Sequence, residues 1–240
     1  MAPPGATERQ QQAPLSGEDG ITRQKRAAAR EAALLVEEGM RVGLGTGSTV
    51  AHLLPALAER RLRGLRCVAT SPATEEAARA LGLTMTALDD LQELDIAIDG
   101  ADQIDPSGWL IKGGGGAHTR EKIVATAAHT FVVIASAEKA VKRLRPPVPL
   151  ELLRFGVQHT LAALSPAELR DVQPSPDGGL IADYLGPVED PRQLTARLQG
   201  TPGLVEHGLF APDMVSLILI AGDDGVQRRQ GAARSSTGRS

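Results

Sequence analysis

A chain of 240 residues, 42% of them hydrophobic, is long enough for one full core with a small appended unit. Its net charge of −3 excludes a nucleic-acid binder that works by broad phosphate neutralisation. The single cysteine, Cys67, excludes an internal disulfide, as expected in a reducing compartment. No apolar stretch approaches the ~18 residues of a membrane span. The first twenty residues carry three acids and lack the apolar centre of an export signal. The expectation is a cytoplasmic chain with neither a membrane nor a nucleic-acid partner.

Residues 1–20 (rich in Ala, Pro, Gln and Gly) and 230–240 (rich in Arg, Ser and Gly) hold almost no large apolar side chains and read as disordered tails. Thr22 to Glu38 predicts a helix with Ala28, Ala32, Leu35 and Val36 on one face, stopped by Gly39. Arg41–Gly45 reads as a strand, and Thr46–Thr49 leads into a second helix that Pro55 should kink or shorten. Leu65–Ala69 is the next strand, with Cys67 as a small buried hydrophobe. Ser71-Pro-Ala-Thr74-Glu75 opens a third helix ending near Gly82. Strands are expected at Thr84–Thr86, Leu94–Ile98 and Trp109–Ile111, then a helix over Ala117–Ala128 and a strand over Phe131–Ala135. This alternation predicts an α/β chain: a mainly parallel, open, Rossmann-like sheet with helices on both faces, spanning 21–149 and 212–229.

After Arg145 the pattern changes. Pro146-Pro-Val-Pro149 forces an extended crossing, and helical segments around Glu151–Leu164 and Pro191–Leu198 sit among short strands at Gly179–Tyr184 and Gly203–Gly208. Residues 150–211 therefore read as a small α+β unit, a lid or oligomerisation domain, inserted before a last core strand at Val215–Ile220. No internal repeat is present.

Four segments carry candidate chemistry. Gly43-Leu-Gly45-Thr46-Gly47-Ser48-Thr49 lies between a strand and a helix, where backbone N–H groups and the dipole favour a phosphate. A plain Ser/Thr helix cap explains the same residues, and the block departs from both the dinucleotide fingerprint and the P-loop. Ser71–Glu75 is accounted for by capping alone. Asp99 and Asp102 stand at the C-terminal end of a predicted strand, where open α/β sheets bind ligands; an Asp-built turn is the competing reading. Asp105, followed by Pro-Ser-Gly, fits that turn better. Lys112 precedes four glycines, Gly113–Gly116, whose ordering is costly unless backbone must approach a ligand closely. Lys112 is thus either a fixed cation or a charge at a strand end. Glu121 is either a functional acid or one stabilised by the first turn of its helix. His118 reads as incidental, and no His/Cys/Glu set has metal-ligand spacing.

In order and spacing, Val42-Gly-Leu-Gly-Thr-Gly-Ser-Thr49, Asp99-Gly-Ala-Asp102 and Ile111-Lys-Gly-Gly-Gly-Gly-Ala-His-Thr-Arg-Glu-Lys-Ile123 resemble type A ribose-5-phosphate isomerase. The resemblance runs from about Thr22 to Val226. It implies reversible interconversion of D-ribose 5-phosphate and D-ribulose 5-phosphate, in the non-oxidative pentose phosphate pathway, with no metal or organic cofactor. By matching position, Glu121 is the base moving a proton between carbons 1 and 2, and Asp99 assists ring opening. Asp102 and Lys112 hold the sugar oxygens, with Lys112 stabilising the enediolate. Thr46, Gly47, Ser48 and Thr49, with Lys25 and Lys139, bind the phosphate, and Gly113, Gly114 and Gly115 cradle the substrate. A homodimer or homotetramer is also implied.

One physical tension accompanies this reading: a helix N-terminus lowers the pKa of Glu121 and weakens it as a base, unless burial offsets it. The chain departs from the family at Gln103, where a glutamate is common, and at Ser175-Pro-Asp-Gly-Gly179, which replaces Thr-Asp-Asn-Gly-Asn. The segment between Glu151 and Asp177 is also shorter than usual. The rival readings are a sugar-phosphate sensor, an inactive paralogue, and a deaminase or coenzyme-A transferase on the same architecture.

Overall fold

The computed structural model describes residues 17–232. The chain begins with α1 (Gly17–Ala33), β1 (Arg41–Leu44), α2 (Val50–Glu59), β2 (Arg66–Ala69), α3 (Pro72–Ala80), β3 (Leu94–Gly100), β4 (Gln103–Ile104), β5 (Leu110–Ile111), α4 (His118–Ala127) and β6 (Ala128–Ser136). It continues through β7 (Val148–Leu152), α5 (Val157–Ala163), β8 (Ala167–Leu169), β9 (Leu180–Tyr184), α6 (Pro191–Gln199), β10 (Leu204–His207), β11 (Leu209–Phe210), β12 (Leu217–Gly222) and β13 (Gly225–Gln230).

The apolar runs become the interior of a six-stranded sheet in the order β13-β12-β6-β3-β1-β2. Its pairs are parallel except for β12–β13. A strand buried on both faces reads as a continuous apolar run rather than an alternating one, and Phe131–Ala135 of β6 is buried throughout. One face packs against α1, α2 and α3 through Ala28, Ala32, Leu53, Leu57 and Ala78. The other receives α4 through Val124 and Ala125. Gly43 sets the distance on that face, since a Cβ there would lie 2.4 Å from Val124 Cγ1. The expected α/β architecture with helices on both faces is present.

A four-stranded antiparallel sheet, β10-β7-β9-β8, encloses a separate apolar cluster with α5 and α6. A small sheet, β11-β5-β4, bridges the chain between the two.

Several boundaries differ from the sequence expectations. Helix α1 starts at Gly17, so residues 17–20, read as tail, are helical, and it ends at Ala33 rather than Glu38. Leu35 and Val36 donate to the carbonyls of Ala32 and Ala33 in a tighter turn. The Arg60 guanidinium, arriving from the end of α2, takes the carbonyls of Ala33 and Val36. Gly39, at φ +78°, then turns the chain into β1. Helix α2 runs on past Pro55 to Glu59. Thr84–Thr86 forms only an isolated bridge between Met85 and Cys67. Glu151 belongs to β7, not to a helix, because Val148, Leu150 and Leu152 bury one side of an extended segment. Strands β4, β8, β11 and β13 were not anticipated, and β13 extends the sheet beyond the strand expected to be last. Of the tails expected at 1–20 and 230–240, residues 1–16 and 233–240 lie outside the described residues, and Gln230 ends β13.

Arg60→Ala is expected to leave the site's geometry intact and to lower unfolding stability by about 1–3 kcal/mol, the scale for losing hydrogen bonds from a charged donor to partly buried carbonyls. Urea unfolding followed by circular dichroism measures this directly.

Candidate active site

The chain leaves β1 for β2 on one side, then crosses back to β3 on the other. That reversal opens a crevice outside the C-terminal ends of β1 and β3, the position where such sheets bind ligands. From the end of β1 comes the loop Gly45–Thr49, and from β3 comes Asp99. The two fit together because residue 45 has no side chain: a Cβ there would lie 1.9 Å from the Asp99 carboxyl carbon. The Asp99 Oδ1 atom accepts from the backbone N–H groups of Thr46 at 3.1 Å and Gly100 at 2.7 Å.

Lys112 follows β5 and reaches inward beneath the loop. Its backbone N–H donates to the Gly208 carbonyl at 2.9 Å, a close approach that a side chain on Gly208 would block. Its Nζ lies 2.8 Å from Asp99 Oδ2 and 3.1 Å from Glu121 Oε2, and donates to the Gly100 carbonyl at 2.6 Å. All three side chains are 5% exposed or less. The site therefore holds one ammonium between two carboxylates, almost without water.

Burial acts on each group and their mutual charges decide the balance. Desolvation pushes the Glu121 carboxyl up to about 8, with the Asp99 charge adding to the rise and Lys112 opposing it. Burial likewise raises Asp99 above the ordinary carboxylate range against the pull of Lys112. Burial alone would lower Lys112, but the two flanking carboxylates outweigh it and hold the ammonium above its usual value. Glu121 sits in the first turn of α4. The tension between helix dipole and burial is thus resolved in favour of burial.

Asp102 is exposed at the rim, and its Oδ2 accepts from the Gly114 N–H at 2.8 Å. Gly113 turns the loop with φ +99° and packs on the fully buried His118, whose imidazole is held near pKa 3, chiefly by burial. Asp105 builds a turn, accepting from the Ser107 hydroxyl and the Trp109 N–H. Gln103 exchanges two hydrogen bonds with the backbone of Arg145. The cap readings separate cleanly: Ser71 caps α3 through the Thr74 N–H, whereas the Thr49 side chain makes no capping bond to α2. Cys67 is buried, and burial pushes its thiol up to about 11.

A cavity of about 110 Å³ collects most of the expected set. Thr46, Gly47, Ser48, Thr49 and Lys139 line it together with Asp102, Lys112, Gly113, Gly114, Gly115 and Glu121. Two expected residues do not line it. Asp99 stands behind Lys112, and Lys25 reaches the site through Nζ, 3.0 Å from Ser48 Oγ. Gly100 and Ala101 also line the cavity; both sit inside the Asp99–Asp102 block, which the sequence reading used only for its carboxylates. Thr70, whose hydroxyl lies 2.8 Å from that of Thr46, was missed as well, though its place at the end of β2, beside β1, was a usable signal. Among the described residues no group of three or more His, Cys, Asp or Glu side chains is placed to hold a metal ion, and no helix is long and apolar enough to cross a membrane.

A family model described as ribose 5-phosphate isomerase A (phosphoriboisomerase A) matches residues 66–225. The ribose-5-phosphate isomerase A of Caulobacter vibrioides is 47% identical over 222 residues, covering 86% of this chain and 97% of the relative. The solved structure of ribose 5-phosphate isomerase A from Methanocaldococcus jannaschii superposes with a TM-score of 0.82 at 34% identity, over 90% of this chain and 100% of that one. A D-ribose-5-phosphate isomerase solved in complex with phospho-erythronic acid gives 0.83 at 32% identity, over 88% of this chain and 99% of that one. With a family match across most of the sheet and a relative of this identity along nearly its whole length, the chain belongs to the ribose 5-phosphate isomerase A family.

Proposed function

We propose that this chain interconverts D-ribose 5-phosphate and D-ribulose 5-phosphate by moving one proton between carbons 1 and 2 through an enediolate. The observation that carries the reading is the buried Asp99–Lys112–Glu121 trio facing a cradle of hydroxyls and lysines. Removing a proton next to a carbonyl places negative charge on oxygen, and a fixed ammonium at that oxygen stabilises it without having to reorganise. Lys112 supplies that charge. Glu121, raised by burial, binds a proton strongly enough to take it from carbon and return it to the neighbouring carbon on the same face. Asp99 keeps Lys112 in place and serves the hydroxyl protons and ring opening. Asp102 orients a sugar hydroxyl. Thr46, Gly47, Ser48 and Thr49 with Lys25 and Lys139 hold the phosphate, and that anchoring turns binding energy into alignment of the carbon chain.

Residues 150–211 form the unit that flanks the site and carries subunit contacts in a homodimer or homotetramer. Supporting this are the exposed apolar side chains Leu153 and Val205, which with Ile123 of α4 border a second cavity of about 990 Å³. The setting is the cytoplasm, where sugar phosphates are made and consumed.

Glu121→Gln is expected to lose at least about a hundredfold in kcat with little change in KM, in a ketose-formation assay run in EDTA. Equal activity in both proteins would remove Glu121 as the base. The pH dependence has a defined sign. The base works ionised, so kcat/KM for the wild type is expected to rise with pH through about 8 rather than level off in the ordinary carboxylate range. Asp99→Asn removes one of the charges that raise Glu121, so its residual activity should rise at lower pH.

The same shift predicts a stability effect. As pH climbs from 4.5 to about 8 the unfolded chain releases the Glu121 proton before the folded chain does, so wild-type stability contributed by this group falls across that window. Glu121→Gln lacks that loss and is expected to be the more stable protein at pH 8 by denaturant unfolding.

A further inference from the structure

The segment from Lys112 to Glu121 carries the trio's cation and base, yet its middle is four glycines, the residues least able to hold their own peptide planes. Within it the Gly116 N–H closes a turn on the Gly113 carbonyl at 3.0 Å, and a group outside the segment must fix the rest. Arg170, just beyond β8, does so. Its Nη1 donates to the carbonyls of Gly113 at 3.2 Å and Gly114 at 3.0 Å. Its Nε and Nη2 form a two-pronged pair with Asp183 of β9, each bond 2.6 Å. Both side chains are largely buried, at 17% and 15% exposed, and the Arg170 N–H joins β9 at the Ile181 carbonyl. The guanidinium is therefore rigidly held by the antiparallel sheet and spends its remaining donors on the glycine loop.

A trans peptide unit is planar, so its carbonyl and the following N–H point in opposite directions. Holding the Gly113 carbonyl on Arg170 directs the Gly114 N–H the other way, where it donates to Asp102 Oδ2 at 2.8 Å. Holding the Gly114 carbonyl directs the Gly115 N–H away from Arg170 in the same manner, and Gly115 lines the cavity. Released from this clamp, the Gly114–Gly115 unit is freed to rotate and present its carbonyl oxygen where the site needs a donor, while the Gly113 carbonyl keeps its bond from the Gly116 N–H at 3.0 Å.

We propose that Arg170, seated on Asp183, is a positioning residue for the reaction, aiming the N–H groups of Gly114 and Gly115 at Asp102 and the sugar oxygens. The proposal rests on the isomerase reading for its kinetic consequence but not for its structural one, so its test has two readouts. Amide hydrogen exchange by mass spectrometry is measured on wild type, Arg170→Ala and Arg170→Lys, beside steady-state kinetics on ribose 5-phosphate.

In Arg170→Ala, exchange over 112–117 is expected to accelerate while the central sheet keeps its protection, and kcat is expected to fall about tenfold or more with KM changed less than threefold. Arg170→Lys keeps the charge but offers a point donor that cannot serve Asp183 and two carbonyls together, so it should share the faster exchange and most of the kinetic loss. Unchanged exchange over 112–117, a wild-type kcat in either variant, or acceleration spread evenly through the molecule would each overturn the proposal. If Arg170→Ala does not fold, Arg170→Lys decides. If the wild type itself fails to turn over ribose 5-phosphate, the isomerase reading falls and the exchange measurement still decides whether Arg170 holds the loop.

Discussion

Everything around the crevice is arranged to keep one ammonium dry between two carboxylates. Removing charges from water costs several kcal/mol for each ion, and their mutual attraction returns that only when the geometry is very good. Such a cluster does not hold a fold together; the fold has to hold the cluster. The missing side chains of Gly45 and Gly208 follow from this demand, the first making room for Asp99 and the second letting the Lys112 backbone dock. So does the placement of α4, whose first turn brings Glu121 to the same nitrogen from the opposite side.

The electrostatic outcome was not legible from position along the chain. A carboxylate in the first turn of a helix is ordinarily eased toward ionisation, and a reading limited to that fact makes Glu121 a weak base. Burial at 5% exposure reverses the sign. The reversal depends on Asp99, twenty-two positions earlier in the sequence, and on the packing of α4 against β3 and β6, none of which a local pattern encodes.

Where the sequence was legible, it was so because one physical signal dominated. Strands β3, β6 and β12 are apolar runs buried on both faces, and the site blocks combine glycines, hydroxyls and charges that a core has no use for. Where it was not, the signals were weak or distant. Strands β4, β8 and β11 are two or three residues long, too short for a pattern of their own, and they exist only through antiparallel partners, which for β11 lie in β5, far back along the chain. Glu151 was placed at the start of a helical segment running to Leu164, whereas it lies in a strand buried at every position whose partners, β9 and β10, come only later in the chain. Arg170 had no local mark at all: an arginine at the end of a three-residue strand gains its meaning from two carbonyls more than fifty residues away.

The hairpin partner β13 has a consequence for the molecule among its neighbours. A mainly parallel sheet of apolar strands has an open flank, and an unpaired apolar flank recruits strands from other chains. Here β12 is covered by Gly-Val-Gln-Arg-Arg-Gln, whose Gln227, Arg228 and Gln230 are exposed and whose Arg228 is tied back to Glu31 of α1. On the far flank β2 is four residues long and partly covered by Met85. Both margins of the sheet thus end in a short or cationic strand, which guards the chain against growing edge to edge into aggregates.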